Sequence, residues 1–377
     1  MELSETQLEL RNQCRAFAEA EIAPFADEWD RREAMPVETL RKMGGRGYLG
    51  ALIPKEYGGG ALGRIEFGIL NEELGRACSS ARSLVTVHSM VCHALNRWGN
   101  EAQKRQWLPS LASGETIAAF ALSEAEAGSD AQAIRTQAFA SQGGYRLEGS
   151  KRWVTFGQLA DLFLVFARLE DQPTAFLVPA QTEGLRRSAI PDMYGLRASS
   201  IAEVHLEQCW IPESAMLARP GMGVQAVASY ALGLGRYSVA WGCVGIAQAA
   251  LEASARYAAT RVQFGKALAE HQLIQKMLSD MVTKTRAARQ LCIAAGISQE
   301  RRSSSALLDT LCAKYFASTA AVAIANDALQ IHGAQGCSGA APVQRFLRDA
   351  KIMEIIEGSS QIQQILIAHY GTKEYYL

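Results

Sequence analysis

Hydrophobic spacing divides this sequence into three regions, and their order limits the folds that the chain can adopt. Residues 1–112 and 219–377 carry apolar side chains every three or four positions, as amphipathic helices do. Residues 113–218 instead contain short apolar runs bounded by Gly, Asp, Gln or Pro, which is typical of strands. The sequence therefore predicts an α+β protein with an N-terminal helical domain, a compact middle β domain and a C-terminal helical bundle.

Individual elements can be predicted from the same spacing. The predicted strands of the middle domain are Ile117–Leu122, Tyr145–Glu148, Leu162–Arg168, Thr174–Val178 and Val204–Leu206. The predicted long helices of the last domain are Gly233–Arg261, Gln272–Ala295, Ala306–His332 and Pro342–His369. Ser4 is a candidate cap for the first helix.

The charge balance argues against two classes of partner. Lys and Arg together number 38, and so do Asp and Glu, which leaves a formal net charge of zero. A neutral chain lacks the field that binds a polyanion, so we expect neither nucleic acid nor an anionic membrane as a partner. No run of about 20 apolar residues occurs, so we expect no membrane span either.

The N-terminal segment and the cysteines indicate the compartment. Residues 1–24 are acidic and interrupted by charges, unlike a signal peptide or a mitochondrial presequence. The eight cysteines lie far apart and form no CxxC pair, as expected for reduced, mostly buried thiols rather than disulfides or a zinc site. We therefore predict a cytoplasmic protein without a bound metal.

Common nucleotide and hydrolase motifs give no support to other enzyme classes. The run GGGALG (residues 58–63) matches GxGxxG literally, but a dinucleotide site needs a preceding strand and the flanking residues have helical spacing. We interpret this run as a turn. The P-loop motif, GxSxG and HExxH are absent, which removes the main support for a P-loop enzyme, an elbow-type serine hydrolase and a zincin.

Three polar stretches interrupt the apolar segments and are candidates for a site. ALSEAEAGSD (residues 121–130) places hydroxyls and acids in a loop after a strand, and KRWVT (residues 151–155) puts an aromatic ring and a hydroxyl on one strand. IIEGSSQ (residues 355–361) places Glu357 beside a glycine after an apolar run. A carboxylate there is expected to be partly desolvated, which raises its pKa and suits it to act as a base.

Together with two further motifs, these stretches resemble the acyl-CoA dehydrogenase family over almost the whole chain. ALSEAEAGSDAQA resembles the first signature loop of the family, and KRWVT resembles its flavin-facing WIT strand. RVQFGK followed by EHQ is similar to the RxxFGK…HQ segment, and RDAK with EGSSQIQQ is similar to the closing region. The resemblance implies the acyl-CoA dehydrogenase fold, in which the middle domain is β-barrel-like and the last is a four-helix bundle.

The resemblance also implies FAD as the cofactor and assigns residues to it. Leu122 and Ser123 would meet the flavin pyrimidine ring, and Trp153 and Thr155 would flank the isoalloxazine, with Thr155 near N5. The other implied FAD-binding residues are Ser129; Arg261, Gln263 and Phe264, which would reach the pyrophosphate from a neighbouring subunit; Gln330 and Gly333 beside the adenosine; and Ser359 and Gln361. Sharing FAD in this way implies a homo-oligomer, either a dimer or a tetramer.

The family chemistry gives Glu357 a role. A base removes the α-proton of an acyl thioester while flavin N5 takes the β-hydride from the opposite face, and the resemblance makes Glu357 that base. The developing enolate oxygen would be stabilised by a flavin ribityl hydroxyl and by the main-chain N–H of the glutamate. Some relatives place the base immediately before the arginine that corresponds to Arg236, but Gly235 occupies that position here.

Departures from the common family pattern point to a particular substrate. Gly233 stands where many members carry an acid near the CoA tail. The segments around residues 78–83, 235–245 and 353–360 resemble a branch that acts on acyl-carrier-protein thioesters in polyketide antibiotic biosynthesis. That branch would oxidise a 2-hydroxy- or 2-amino-3-oxopropionyl group, hydrated at its aldehyde, to a malonyl-type extender unit.

The expected contacts to such a polar acyl group are Arg82, Arg236 and Gly358, and Arg in particular suits planar oxyanions. Two alternatives stay open. A short-chain acyl-CoA dehydrogenase that forms a 2-enoyl-CoA would use the same fold, with a CoA ester in place of the carrier protein. A flavin-free scaffold that only binds a carrier protein is the other, although Thr155 and Glu357 argue against it. The electron acceptor can be either an electron-transfer flavoprotein or O2, and the sequence does not distinguish them.

Overall fold

The computed structural model describes residues 3–375, which form helical, β and helical regions in the predicted order. The N-terminal region contains α1 (Glu5–Glu21), α2 (Ala26–Arg32), α3 (Val37–Gly45), α4 (Arg64–Ala77), α5 (Ser79–Trp98) and α6 (Glu101–Ser113). Ser4 caps α1 as predicted, because its hydroxyl accepts a hydrogen bond from the main-chain N–H of Gln7 while the Gln7 side chain accepts one from the N–H of Ser4.

The middle region is one mixed sheet. Its strands are β1 (Ala118–Ala121), β2 (Gln137–Ser141), β3 (Gly144–Val154), β4 (Leu162–Leu169), β5 (Gln172–Pro179), β6 (Leu185–Ala189), β7 (Ala202–Pro212) and β8 (Met216–Leu217). The strand order is β6-β7-β3-β2-β4-β5-β8, with β1 parallel to β4. All five predicted strands are present, whereas β2, β6 and β8 were not predicted because they are short or have largely exposed, polar side chains.

The C-terminal region contains α7 (Ser229–Thr260), α8 (Gln272–Glu300), α9 (Ala306–His332), α10 (Val343–Met353) and α11 (Ser360–Gly371). A small hairpin of β9 (Val262–Gln263) and β10 (Lys266–Ala267) follows α7. The prediction of continuous helix over Pro342–His369 is wrong, because the chain leaves the helical conformation between α10 and α11. This break contains Glu357.

Helix α7 is the central element, since it packs against α4, α5, α8 and α9. Glycines allow the contact with α4 to be close. A methyl group added to Gly245 would lie 2.3 Å from the main-chain oxygen of Glu72, and one added to Gly68 would lie 2.3 Å from the indole of Trp241. Trp241 is completely buried. The two helices can therefore approach only because small residues occupy these contact points.

Among residues 3–375, one helix is long and apolar enough to cross a membrane by length and composition alone. It corresponds to α9 and the residues that follow it, over Ala306–Gln335, and half of its most apolar window is buried inside the protein. Helix α9 packs against α7, α8, α10 and α11. Burial in a bundle accounts for its apolar surface, because a core helix has the same composition as a membrane span.

The cysteines behave as predicted from their spacing. Cys14, Cys78, Cys92, Cys209, Cys243 and Cys292 are buried and unpaired, while Cys312 is half-buried and Cys337 is exposed. Over residues 3–375, no group of three or more His, Cys, Asp or Glu side chains is placed to hold a metal ion. The GGGALG run has no preceding strand, in agreement with its interpretation as a turn.

The close approach of α4 and α7 gives a test of the fold. Gly245→Ala should lower the free energy of unfolding by roughly 1–3 kcal/mol, because the new methyl group would collide with the backbone of α4. Gly233→Ala on the same helix meets no atom within 4 Å and should stabilise the protein by up to about 1 kcal/mol through helix propensity. Urea unfolding at fixed protein and cofactor concentration measures both. Equal effects of the two substitutions would contradict the packing argument.

Candidate active site

The break between α10 and α11 presents Glu357 in an unusual backbone conformation. Glu357 has φ 55° and Gly358 has φ 90°, so two successive residues lie in the left-handed region. This conformation costs a residue with a Cβ roughly 1–2 kcal/mol. Ser359 then caps α11, since its hydroxyl accepts a hydrogen bond from the main-chain N–H of Ile362. A strained turn of this kind persists only where its surroundings hold it.

Three side chains from different helices hold the turn by its main-chain carbonyl groups. Lys314 Nζ on α9 donates to the oxygen of Gly358 at 2.7 Å, and Arg236 Nε on α7 donates to the oxygen of Glu357 at 3.2 Å. Gln363 Nε2 on α11 donates to the oxygen of Glu357 at 3.2 Å and to that of Gly358 at 3.0 Å. The donors fix the backbone and leave the carboxylate free. Glu357 Oε2 is buried and has no hydrogen-bond partner in the described part of the chain.

The environment makes Glu357 a stronger base than an ordinary carboxylate. Burial raises the pKa of Glu357 from 4.5 to about 7, and the charges of Arg236, Lys314 and Arg82 only partly oppose this rise. Burial also lowers the pKa of Lys314 from 10.5 to about 8. A base with a pKa near 7 can be ionised at neutral pH and still take a proton effectively.

Gly235 on α7 faces the same carboxylate. A methyl group built on Gly235 would lie 2.5 Å from Glu357 Oε2 and 2.7 Å from Met90 Sδ. The position therefore has no room for a side chain while Glu357 points inward. This contact gives a steric reason why the acid is found at 357 and glycine at 235.

Arg82 is a second ionisable group buried beside Glu357. It is completely buried on α5, where its Nη1 donates to Thr86 Oγ1 at 2.7 Å and its Nη2 lies 3.4 Å from Met353 Sδ. Its Nε has no hydrogen-bond partner, and no carboxylate within residues 3–375 forms an ion pair with it. Burial lowers the pKa of Arg82. An arginine without an anionic partner in the interior is costly, and a bound ligand would compensate for that cost.

A separate buried ion pair supports the loop that follows β1. Lys151 on β3 is completely buried, and its Nζ donates to Glu124 Oε1 at 2.6 Å and to the main-chain oxygen of Leu122 at 3.1 Å. Glu124 also accepts hydrogen bonds from the main-chain N–H groups of Arg135 and Thr136. Burial lowers the pKa of Lys151 to about 8, and the charge of Glu124 opposes this effect. The pair ties the loop to the sheet.

The end of β3 carries an exposed aromatic side chain next to this loop. The main-chain N–H of Arg152 donates to the oxygen of Ser123 at 2.8 Å, which brings the two segments together. Trp153 has φ 62°, lies at a shift in the β3–β7 register and is 48% exposed. Thr155 lies one residue beyond the strand, so the two side chains predicted to share a strand are instead on either side of its end.

Comparison with protein-family models matches each region separately. Residues 4–115 match the N-terminal domain of acyl-CoA dehydrogenases, residues 119–209 match the middle domain, and residues 221–371 match the C-terminal domain. The mouse mitochondrial short-chain specific acyl-CoA dehydrogenase is 38% identical over 381 residues, which cover 100% of this chain and 92% of the relative. The chain belongs to the acyl-CoA dehydrogenase family.

Two solved structures are also similar. FkbI, described as acting in the biosynthesis of the methoxymalonyl extender unit of the polyketide FK520, has a TM-score of 0.88 and 34% identity, covering 96% of this chain and 98% of FkbI. The prolyl acyl carrier protein oxidase AnaB has a TM-score of 0.92 and 29% identity, covering 98% and 99%. Both the family models and these structures agree with the predicted acyl-CoA dehydrogenase fold.

Membership identifies the protein as an FAD-dependent dehydrogenase of acyl thioesters. The chain offers a surface that fits a flavin. Half of the Trp153 side chain is exposed, and its backbone is held in a left-handed conformation. The segment that carries Trp153 adjoins the loop of Leu122 and Ser123. Large exposed aromatic groups next to convergent polar groups mark ligand sites. The assignment of Trp153, Thr155, Leu122 and Ser123 to the flavin remains a prediction.

The β9–β10 hairpin of this acyl-CoA dehydrogenase projects a second aromatic group into solvent. Phe264 is 96% exposed with φ 52°, and Arg261 and Gln263 beside it are exposed as well. A phenylalanine held fully outside the chain is expected to be covered by another molecule. The role of the hairpin in reaching FAD of a neighbouring subunit stays a prediction.

The other predicted cofactor residues lie in separate places. Gln330 and Gly333 are exposed where α9 ends, Ser359 and Gln361 lie where α11 begins, and Ser129 is exposed in the loop after β1. Of the predicted substrate contacts, the structure brings Arg82, Arg236 and Gly358 together around Glu357. The roles of all these residues in binding remain predictions.

Four residues that shape the site were not singled out in the sequence: Lys314, Gln363, Lys151 and Glu124. Lys314 is the only Lys or Arg within the apolar helix α9, which is a signal that sequence inspection could have used. Lys151 and Glu124 lie inside motifs that were recognised, but their pairing depends on the contact between β3 and the loop after β1, which are separate in the sequence. Gln363 had no distinguishing pattern.

The Lys151–Glu124 pair gives a prediction about FAD affinity. Lys151→Met should weaken FAD binding by roughly 10- to 100-fold, because the loop of Leu122 loses a charged hydrogen-bond donor and Glu124 is left buried without a cation. The double substitution Lys151→Met with Glu124→Gln removes the unpaired charge but does not restore the contact to Leu122. It should recover thermal stability and retain the weak FAD binding. Fluorescence titration of the apoprotein with FAD measures the affinity, and wild-type affinity in the double variant would contradict this role.

Proposed function

We propose that this acyl-CoA dehydrogenase oxidises a small polar acyl group on the phosphopantetheine arm of an acyl carrier protein. The substrate in this proposal is the 2-hydroxy- or 2-amino-3-oxopropionyl thioester, hydrated at its aldehyde, and the product is a malonyl-type extender unit. The proposal places the enzyme in the cytoplasm as a homo-oligomer, with an electron-transfer flavoprotein or O2 as the electron acceptor.

The observation that carries this proposal is the buried, unpaired guanidinium of Arg82. An apolar acyl group such as butyryl would add more apolar surface around this cation and leave its Nε without an acceptor. The two hydroxyls of an aldehyde hydrate, or the carboxylate formed from it, would supply such an acceptor. Three cations, Arg82, Arg236 and Lys314, act on the carboxylate of Glu357, while Asp349 also acts on Arg82 and Glu354 on Lys314. A substrate that becomes an anion would give these cations a further acceptor.

The comparisons support both branches of the family. FkbI is described as serving the biosynthesis of a methoxymalonyl extender unit, which supports an extender-unit substrate. AnaB is described as a prolyl acyl carrier protein oxidase, which supports a carrier-bound substrate. The 38% identity to the mouse short-chain specific acyl-CoA dehydrogenase is higher than the identity to FkbI or AnaB, and it supports the short-chain acyl-CoA alternative about as well. In that alternative, Glu357 removes an α-proton from a short acyl-CoA and a 2-enoyl-CoA is formed.

The residues of the chain have defined tasks in the proposed reaction. Glu357, kept ionisable near pH 7, accepts the proton that leaves a hydroxyl of the hydrate. Lys314, Arg236 and Gln363 hold the Glu357 backbone so that the carboxylate stays directed toward the acyl group. Bound FAD would supply the acceptor for the hydride that leaves the same carbon. The hydrated aldehyde thereby loses two electrons and two protons in total and becomes a carboxylic acid.

The raised pKa of Glu357 predicts the pH dependence. Below about pH 7 the carboxyl group is protonated and cannot act as a base, so kcat/KM should rise with pH through about 7 and then level off. Glu357→Gln should lower kcat/KM by about 10²–10⁴-fold and abolish this rise. Because the folded-state pKa is raised, ionisation destabilises the wild type as pH rises from 4.5 to about 7, so the Gln variant should become relatively more stable over that interval. A wild-type kcat/KM that does not change with pH would contradict the assignment of Glu357 as the base.

Arg82 predicts the substrate preference. Anaerobic bleaching of the oxidised flavin should be faster with the carrier-bound hydroxy-aldehyde than with butyryl-CoA. Arg82→Met should lower the ratio of the two kcat/KM values by roughly 10- to 100-fold, because it removes a charged donor from the polar acyl group only. Arg31→Met, at an exposed arginine, is the matched control. A preference for butyryl-CoA that Arg82→Met does not change would favour the short-chain alternative.

A further inference from the structure

A chain of hydrogen bonds between buried side chains runs from Arg82 on α5 through α7 to α4. Arg82 Nη1 donates to Thr86 Oγ1 at 2.7 Å, one turn further along the same helix. Thr86 Oγ1 lies 2.6 Å from Ser238 Oγ on α7, and Ser238 Oγ donates to Asn71 Oδ1 on α4 at 2.6 Å. All four side chains are at most 3% exposed. A paired polar network of this kind makes one arrangement of the interior side chains preferred over others.

The donors and acceptors of this chain can be arranged in one direction. Asn71 Nδ2 donates to the main-chain oxygen of Phe67 at 2.8 Å, so the amide oxygen of Asn71 faces Ser238. Ser238 gives its one hydroxyl proton to Asn71, and it can therefore only accept from Thr86. Thr86 then gives its own proton to Ser238 and accepts from Arg82, although the main-chain oxygen of Arg82 is a second, longer acceptor at 3.3 Å. Each hydroxyl that donates becomes a better acceptor, so the chain strengthens the bond to Arg82.

The other sides of the Arg82 side chain are enclosed by α7 and α10. A methyl group added to Gly242 on α7 would lie 2.8 Å from Arg82 Nε and 2.9 Å from its Cδ. Arg82 Nη2 lies 3.4 Å from Met353 Sδ at the end of α10, where the turn that carries Glu357 begins. Sulfur is a weak acceptor, and Nε has no partner within residues 3–375. The guanidinium therefore keeps donors with no strong acceptor, in a direction that its neighbours fix.

We propose that Thr86 and Ser238 are positioning residues that select a polar acyl group, because they fix the direction of the Arg82 guanidinium. The inference rests on the proposed function, since it requires that Arg82 meets the acyl group. A guanidinium that could turn would lose rotational freedom when the substrate binds, whereas one held in advance does not. The class of substrate that this arrangement selects carries oxygen atoms on the carbon that is oxidised.

Anaerobic bleaching of the flavin in the FAD-loaded enzyme, by the carrier-bound hydroxy-aldehyde and by butyryl-CoA, tests this inference. Thr86→Val replaces the hydroxyl by a methyl group and should lower the ratio of the two kcat/KM values by roughly 3- to 20-fold, because Arg82 loses the acceptor that directs it. Ser238→Ala should lower the ratio several-fold, whereas Thr86→Ser keeps the hydroxyl and should retain the ratio. Thr285→Val is the matched control, at a buried threonine whose hydroxyl donates to the main-chain oxygen of Met281, and should leave the ratio unchanged.

Combination with Arg82→Met separates positioning through Arg82 from a general effect of the buried substitutions on the fold. If Thr86 acts through Arg82, Thr86→Val should not lower the ratio further once Arg82→Met is present. Equal losses with both substrates, or a further fall of the ratio in the double variant, would overturn the inference. An unchanged ratio in Thr86→Val, while Arg82→Met lowers it, would overturn the inference alone. An unchanged ratio in Arg82→Met would overturn the proposed function, and the inference with it.

Discussion

The hydrogen bonds from Lys314, Arg236 and Gln363 to the main-chain carbonyls of Glu357 and Gly358 are the interaction on which the site depends. Had Lys314 and Arg236 formed ion pairs with the Glu357 carboxylate itself, they would have lowered its pKa further and weakened it as a base. Because they bind the backbone, they hold a strained turn in place and leave the carboxylate desolvated. Positioning and basicity are thereby supplied by different groups.

This arrangement needs the helices of the bundle to meet at fixed distances. Lys314 comes from α9, Arg236 from α7 and Gln363 from α11, and α7 is placed by its close contact with α4 through Gly245 and Gly68. The same helix brings Gly235 against the carboxylate, so a displacement of α7 would alter the backbone support and the space around the base together. The packing of residues far from Glu357 therefore helps to determine the geometry of the site.

The order of helical and β regions could be predicted because hydrophobic spacing is local, and the motifs that carry the family resemblance are local as well. Glu357 could be singled out as a candidate base from its neighbours and from those motifs, and its role stays a prediction. The break in Pro342–His369 could not be predicted, since the apolar spacing continues through it. The side chains that hold the left-handed turn, Lys314, Arg236 and Gln363, come from three different helices and are distant or inconspicuous in sequence.

A net charge of zero conceals an uneven distribution of cations, and helix α5 shows its pattern. Arg82, near the start of α5, is completely buried beside Glu357, whereas Arg97, near the end of the same helix, is exposed. The proposed polar acyl group would supply oxygen atoms to this buried cation. An apolar acyl group would leave Arg82 Nε without an acceptor. In the proposed function, the unpaired guanidinium of Arg82 is therefore the feature that would distinguish a polar from an apolar acyl group.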